Sequence, residues 1–364
     1  MSFLKNIFAK KDDPVRTYDD FWNWFQKNEK SFFKSVNLHK NVEKDFFQKL
    51  SPKLDELKED IYYLTGMYDQ NTAELVLTAD GSIKNIVFVE ELVSAAPKIE
   101  GWKFTALKPA LDIKDVSIKM QDYEFSTETL SFYANESPEY PDEIDITIVH
   151  KDLDEENRST ITSGIYIFLD NYLGELVFAT TVDSIKVAGT NEAKNELVPI
   201  EKLKDFLKWR QKEFIEKYDG KRYDTDSDRY SILEAELQNG NALVAVINTD
   251  LLNWDSKASH PWMVVAELKY DGSKNNGMPD EETYKLLDGV ENRIMEELKD
   301  FDGYLNIGRQ TADNAREIYF ACKDFRKPSK LLQQIQNDYK NKAGMSFDIY
   351  KDKYWKSFER FNNA

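Results

Sequence analysis

The sequence predicts an α+β protein of two domains, the second built as a β-α-β-β-α-β unit. Three observations carry that expectation. Residues 260–361 switch between two-residue and three-to-four-residue apolar spacing, the periods of strands and helices. Before them, strand-like and helix-like runs interleave as far as Tyr218, which suits a separate α+β domain with interleaved helices. Between the halves, Asp219 to Asp228 is polar, charged and without apolar periodicity. The expected division is therefore a flexible segment over 1–16, a first domain over 17–218, a linker over 219–228 and a second domain over 229–364.

In the first segment Phe3, Leu4, Ile7 and Phe8 share one helical face. A docking segment and a frayed terminus compete there, and the usual disorder of chain ends favours the terminus. Thr17 to Val36 reads as a helix whose stripe is Phe21, Trp24, Phe25, Phe32 and Phe33, with Trp22 beside it. A second helix over about 40–58 carries Val42, Phe46, Leu50, Leu54 and Leu57, and Pro52 should kink or divide it. Residues 61–68 and 72–79 form a hairpin turned at Asp69 to Asn71. Ile86, Val89, Leu92 and Val93 suggest a short helix stopped by Pro97, and Trp102–Leu107 the next strand. Leu130–Tyr133 and Ile144–Val149 are strand-like, joined by an acidic loop. Asn157 to Leu173 is a helix ended by Gly174, with a strand expected near 177–187. Pro199 opens a long helix with Leu203, Phe206, Leu207, Phe214 and Tyr218 as its stripe.

Beyond the polar stretch, Tyr230–Leu237 and Ala242–Ile247 read as strands that could extend the next sheet. In His260–Tyr270, Trp262, Val264, Ala266, Leu268 and Tyr270 fall on one side. Gly277 to Asp280 opens a helix with Glu281 and Glu282 in its first turn, where acids suit the dipole, and Leu287, Val290, Ile294 and Leu298 as stripe. Tyr304–Gln310 and Arg316–Cys322 make a hairpin around Asp313-Asn314. Pro328 starts a helix with Leu331, Leu332, Ile335 and Tyr339, and Met345–Tyr350 is the last strand. That order is the ferredoxin-like split unit.

Gly277-x-Pro279, Gly308-Arg309-x-Thr311, Glu317-x-Tyr319-Phe320 and Asp352-x-x-Trp355-x-x-Phe358, in that order, resemble an uncharacterised bacterial family, domain of unknown function six-nine-five. The resemblance covers residues 260–361 and implies a fold and a bacterial setting, not a reaction. Earlier, a strand, Asp80-Gly81, a helix, Ala95-Ala96-Pro97, Gly101-Trp102 and a strand resemble a segment of other uncharacterised bacterial proteins, with no activity attached.

In a split unit both helices lie on one face of the sheet. Alternation assigns Leu268, Leu305, Ile307, Ile318, Phe320, Phe347 and Ile349 to that face. Met263, Val265, Tyr304, Tyr319 and Tyr350 go to the other, among Glu267, Lys269, Glu317 and Asp348. So apolar a centre needs a cover. Of the C-terminal segment with Trp355, Phe358 and Phe361, the first domain and a partner chain, the C-terminal segment is the expected cover, because the chain leaves its last strand a few residues earlier; uncovered, the face would be a partner site. Arg309 and Arg316 fall on the helix side, where such a pair could receive a carboxylate or phosphate. Ion pairs to local acids such as Asp313 or Glu317 are the commoner outcome in so acidic a chain.

Composition narrows the functions. A 41% hydrophobic, 13% aromatic chain argues against disorder. With 49 basic and 66 acidic residues the net charge is −17, which opposes duplex DNA or RNA and suits either simple solubility or a basic partner. The single Cys322 rules out an internal disulfide and reads as a buried apolar side chain. No stretch approaches the ~20 apolar residues of a membrane span, and the cytoplasm is the expected location. Asp224-x-Asp226-x-Asp228 opens like a calcium loop, but Arg229 and Ala235 stand where Gly and Glu are needed. His39, His150 and His260 are far apart. No catalytic, cofactor or metal residue is assigned. The expected function is a binding or regulatory module for a protein partner or small ligand, its oligomeric state open. The alternative is an enzyme with a dispersed site in the cleft between the two domains.

Overall fold

The computed structural model describes residues 14–340 and 344–361. Phe3, Leu4, Ile7 and Phe8 lie outside the described residues. Helices and strands are mixed throughout, as an α+β chain requires. Two compact units divide between Pro109 and Ala110, not at the polar stretch 219–228.

In the first unit α1 (Tyr18–Asn37) begins with a reciprocal cap. The Thr17 hydroxyl accepts from the Asp20 amide and the Asp20 carboxylate accepts from the Thr17 amide. A widened turn at Glu43–Phe47 leads into α2 (Gln48–Leu57). Helix α2 runs through Pro52. The irregularity lies one turn earlier, because the Pro52 ring crowds the carbonyl of Gln48, four residues back. Strands β1 (Tyr62–Met67) and β2 (Ala73–Thr78) form the expected hairpin, and α3 (Ile83–Ser94) crosses to β3 (Trp102–Ala106), parallel to β2. The aromatic stripe of α1 packs on this sheet: Phe25 meets Trp102 and Phe104 edge-on at 5.0 and 5.3 Å.

The second unit holds two larger sheets. A small hairpin, β4 (Ile118–Met120) and β5 (Tyr123–Phe125), precedes β6 (Leu130–Asn135) and β7 (Asp145–His150). Helices α4 (Arg158–Leu173) and α5 (Glu175–Thr181) lead to β8 (Ser184–Gly189), parallel to β7. Two residues of β9 (Val198–Pro199) and the long α6 (Leu203–Tyr218) complete this part, with strand order β8-β7-β6-β9. The strand expected near 177–187 is helical to Thr181. Gly174, at φ +78° and tight against Ala110, turns the chain and lets a helix restart where the apolar run suggested a strand.

The other sheet has six strands where a split unit has four. They are β10 (Tyr230–Glu236), β11 (Ala242–Asn248), β12 (Trp262–Lys269), β13 (Tyr304–Ala312), β14 (Ala315–Cys322) and β15 (Gly344–Lys351). Their order is β10-β11-β13-β14-β12-β15, with every neighbour antiparallel. Helix α7 (Thr249–Leu252) follows β11, α8 (Glu281–Glu297) follows β12, and α9 (Arg326–Tyr339) follows β14. The β13–β14 turn places Asp313 and Asn314 at φ +49° and +70°, the twist a two-residue hairpin favours. Residues 219–228 are strapped to this sheet's margin: Arg222 donates to the Phe301 carbonyl at 3.0 Å, and the Thr225 amide to Asp300 at 3.0 Å.

One bulge corrects the expected faces. Register slips between Asn306 and Gly308, so two residues of β13 oppose one of β14. Gly308 sits at φ +138° with the Val246 carbonyl 2.2 Å from where a β-carbon would stand. Before the slip alternation is reversed. Tyr304 therefore lies under Lys327 of α9, while Leu305 and Ile307 pack with Met263 and Tyr319 on the opposite face. After it, Arg309 is on the helix side as expected.

That opposite face is closed by the C-terminal segment. Trp355, Phe358 and Phe361 join Met263, Leu305, Ile307 and Tyr319 in one cluster, with Val265 and Tyr350 against it. Met263 is 0% and Tyr319 2% exposed. The Trp355 indole donates to the His260 carbonyl at 3.0 Å, which orients the ring. Trp355→Ala is expected to cost about 3–5 kcal/mol, the range for emptying a buried aromatic site. Urea unfolding checks it; a change under ~1 kcal/mol would show that the segment does not hold the face.

Candidate functional site

Arg309 and Arg316 come together on the helix side, but as members of a closed cluster. Asp288 and Glu291, three apart on α8, reach down to them. Arg316 Nη1 lies 2.6 Å from Asp288 and 3.4 Å from Glu291, and its Nε donates to Thr311 Oγ1 at 3.2 Å. Arg309 Nη1 donates to Glu291 at 2.8 Å and its Nη2 to the Tyr284 hydroxyl at 3.3 Å. The Arg316 guanidinium also lies over the Tyr284 ring. Two carboxylates balance two guanidiniums, and Arg316 is only 1% exposed. The partnering acids are not the ones adjacent in sequence. Asp313 accepts from Asn239 and Asn241, and Glu317 from the Tyr319 hydroxyl.

Of the other proposed contact face, Met263 and Tyr319 are buried under the C-terminal aromatics, Val265 and Tyr350 pack partly against them, and Tyr304 belongs to the helix side. Burial and the bond to Glu317 push the Tyr319 hydroxyl well up, and Arg360 donates to the same oxygen at 3.1 Å.

A third assembly was not legible in the sequence. Asp142, in the loop before β7, accepts from Lys217 Nζ at 2.8 Å, from the Tyr218 hydroxyl at 2.7 Å and from the Tyr354 hydroxyl at 2.7 Å. Asp183 accepts from Lys351 at 2.8 Å, from Lys353 at 2.7 Å and from the Ile144 amide at 2.7 Å. Burial alone would raise both carboxyls. The lysines and hydrogen bonds outweigh it and hold both below the ordinary carboxylate range. Burial also pulls Lys351 down to about 8. Beside Asp142 lies a half-open pocket of about 360 Å³, lined by Pro141, Arg210, Glu213, Phe214 and Lys217. Of its charges, Arg210 donates to the carbonyls of Pro141 and Glu143.

Smaller features resolve simply. Asp224 and Asp226 of the failed calcium loop meet Asp300, with carboxylate oxygens within 4.8 Å of one another. His150 Nε2 lies 3.0 Å from the Glu124 carbonyl, and its Nδ1 accepts from the Asp152 amide. His260 is fully buried and its ring is pushed down to about 3, by burial and then by Lys323, so it is neutral. Cys322 is buried and its thiol raised, which makes it a packing residue.

One end of the six-stranded sheet is strand β10. Strand β10 bonds β11 along one edge, and among the described residues no strand lies beyond it. Leu233 packs into the covered core, but Ile232 is 68% and Tyr230 45% exposed, and Glu234, Ala235 and Glu236 are exposed as well. The two glutamates oppose Val244 and Ala242 on β11. Among the described residues neither forms a salt bridge. The sequence showed this strand but not that it would end the sheet.

The Asp183 assembly generates a pH prediction. Its folded pKa is depressed, so its contribution is present above the unfolded value of ~4 and is lost as pH falls through the folded value. Asp183→Asn leaves two buried ammonium groups uncompensated and should cost about 3–5 kcal/mol at pH 7. The gap between variant and wild type should narrow below about pH 4. Chemical denaturation across pH 2–7 measures it; a constant gap would contradict the assignment.

No curated protein and no solved structure matches the chain. Residues 232–361, which hold β11 to the C-terminal cover and most of β10, match the model of DUF695, a family of unknown function.

Proposed function

We propose that this chain is a cytoplasmic binding module, and that a protein partner adds a strand to its second sheet at β10. The observation that carries the reading is the edge itself: seven residues long, unpaired outward among the described residues, with Ile232 and Tyr230 exposed along it. Main-chain hydrogen bonds from such an edge supply affinity, and alternate side chains supply selectivity. Soluble proteins usually blunt so exposed an edge.

The architecture supports the same reading. We take β12–β15 with α8 and α9 as a ferredoxin-like unit, since β13-β14-β12-β15 is the strand order of that split fold. In the bare unit β13 would be an edge. Here β11 covers β13 and β10 moves the free edge outward, beyond the arginine cluster. The expected enzyme alternative needs charged groups converging on a cavity. Beside Asp142, Lys217 bonds Asp142 itself and Arg210 bonds nearby carbonyls instead.

Affinity capture from the native host tests this, comparing wild type with Ile232→Asp. That residue is exposed, so the fold should be untouched, with a thermal midpoint within about 2 °C. Proteins retained by wild type and lost by the variant are the expected result. Identical captured sets would remove β10 as the binding edge.

A further inference from the structure

The chemistry along β10 specifies its partner more closely, given the strand-addition reading above. We propose that the partner segment is extended and antiparallel to β10, with two basic residues spaced two apart, followed at the same spacing by two apolar residues.

Side chains on one face of a strand recur every second residue. On the helix side of the sheet, β10 presents Tyr230, Ile232, Glu234 and Glu236 in that order. The register fixes this face: Ile232 pairs with Val246, and Val246 pairs with Arg309, whose side chain reaches α8. The first half of the face is thus apolar and the second half acidic. Each added residue sits directly beside one of these, where opposite charges and apolar pairs attract and like charges repel. A strand running against β10 meets Glu236 first, then Glu234, Ile232 and Tyr230. Basic, basic, apolar, apolar is the complement. Every other pair in this sheet is antiparallel, which sets the expected direction. On the reverse face Leu233 and Ala235 leave room for small apolar or hydroxyl side chains.

A second copy of the chain fits less well. Two-fold pairing about Leu233 would set Glu234 against Ile232 and Glu236 against Tyr230 of the other copy, matching charge to apolar surface. Each chain also carries −17, and the mutual repulsion opposes association. At the far end of the sheet β15 exposes only Gly344, Ser346 and Asp348, while Met345, Phe347 and Ile349 are buried, so that edge lacks the apolar half.

The test uses the full chain and three fluorescent peptides, read by anisotropy at low and at physiological salt. The first has the core Lys-Thr-Lys-Thr-Val-Thr-Val, the second reverses that order, and the third carries Glu in place of each Lys. The first should bind roughly tenfold tighter than either of the others, and higher salt should weaken it. Glu234→Lys with Glu236→Lys should invert the preference, so that the third peptide binds and the first does not. A structural role for the two glutamates would not produce that inversion. If peptides bind regardless of charge but Ile232→Asp abolishes binding, the basic-partner proposal fails while strand addition stands. If no peptide binds and sedimentation shows a dimer broken by Ile232→Asp, a second copy is the occupant and the proposal is overturned. If no peptide binds and the chain is a monomer, the proposal is likewise overturned.

Discussion

A sheet with both helices on one face must have its other face covered, and that requirement organises the second unit. Met263, Val265, Tyr319 and Leu305 cannot stand in water together. The chain answers with Trp355, Phe358 and Phe361, delivered directly from β15. The Trp355 indole bond to the His260 carbonyl ties the cover to the entry of β12, the strand between β14 and β15. Lys351 and Lys353, just before the tryptophan, reach Asp183, and Tyr354 reaches Asp142. One short segment thus closes an apolar face and binds the two sheets of this unit with buried charges. It also leaves the apolar residues expected as a partner surface unavailable.

Much of this was readable from periodicity. Alternation placed Met263, Val265, Tyr319 and Tyr350 on one face, and the aromatics 355–361 were the expected cover because the chain leaves its last strand only a few residues earlier. Tyr304, Leu305 and Ile307 were misplaced, because a two-residue period cannot reveal an inserted residue. The clue was Gly308 inside a strand, a position where bulges occur. The polar stretch 219–228 does not coincide with the division between the two compact units. Polar composition marks solvent contact, and residues 219–228 are polar yet strapped by Arg222 and Thr225 to the loop before β13. The Asp142 and Asp183 assemblies join residues up to 212 apart in sequence, a pairing that no local pattern carries.

Charge explains the rest. An excess of acids makes an arginine pair far more apt to be neutralised internally than offered to a ligand. Arg309 and Arg316 are, by acids one helix turn apart that the helical period brings to the same side. Against that background, β10 sets exposed Glu234 and Glu236 beside exposed Ile232 and Tyr230 along one edge. The β10–β11 hairpin carries the free edge past the region that α8 and its arginine cluster occupy.

Native-state hydrogen exchange read by mass spectrometry tests this division between a closed centre and an open edge most directly. The account predicts slow exchange over Trp262–Val264 of β12 and Ile318–Cys322 of β14, which are hydrogen-bonded on both sides and buried on both faces. It predicts fast exchange in peptides covering Tyr230–Glu236. Protection of β10 equal to that of β12 in the isolated chain would contradict it, because the edge would then already be occupied.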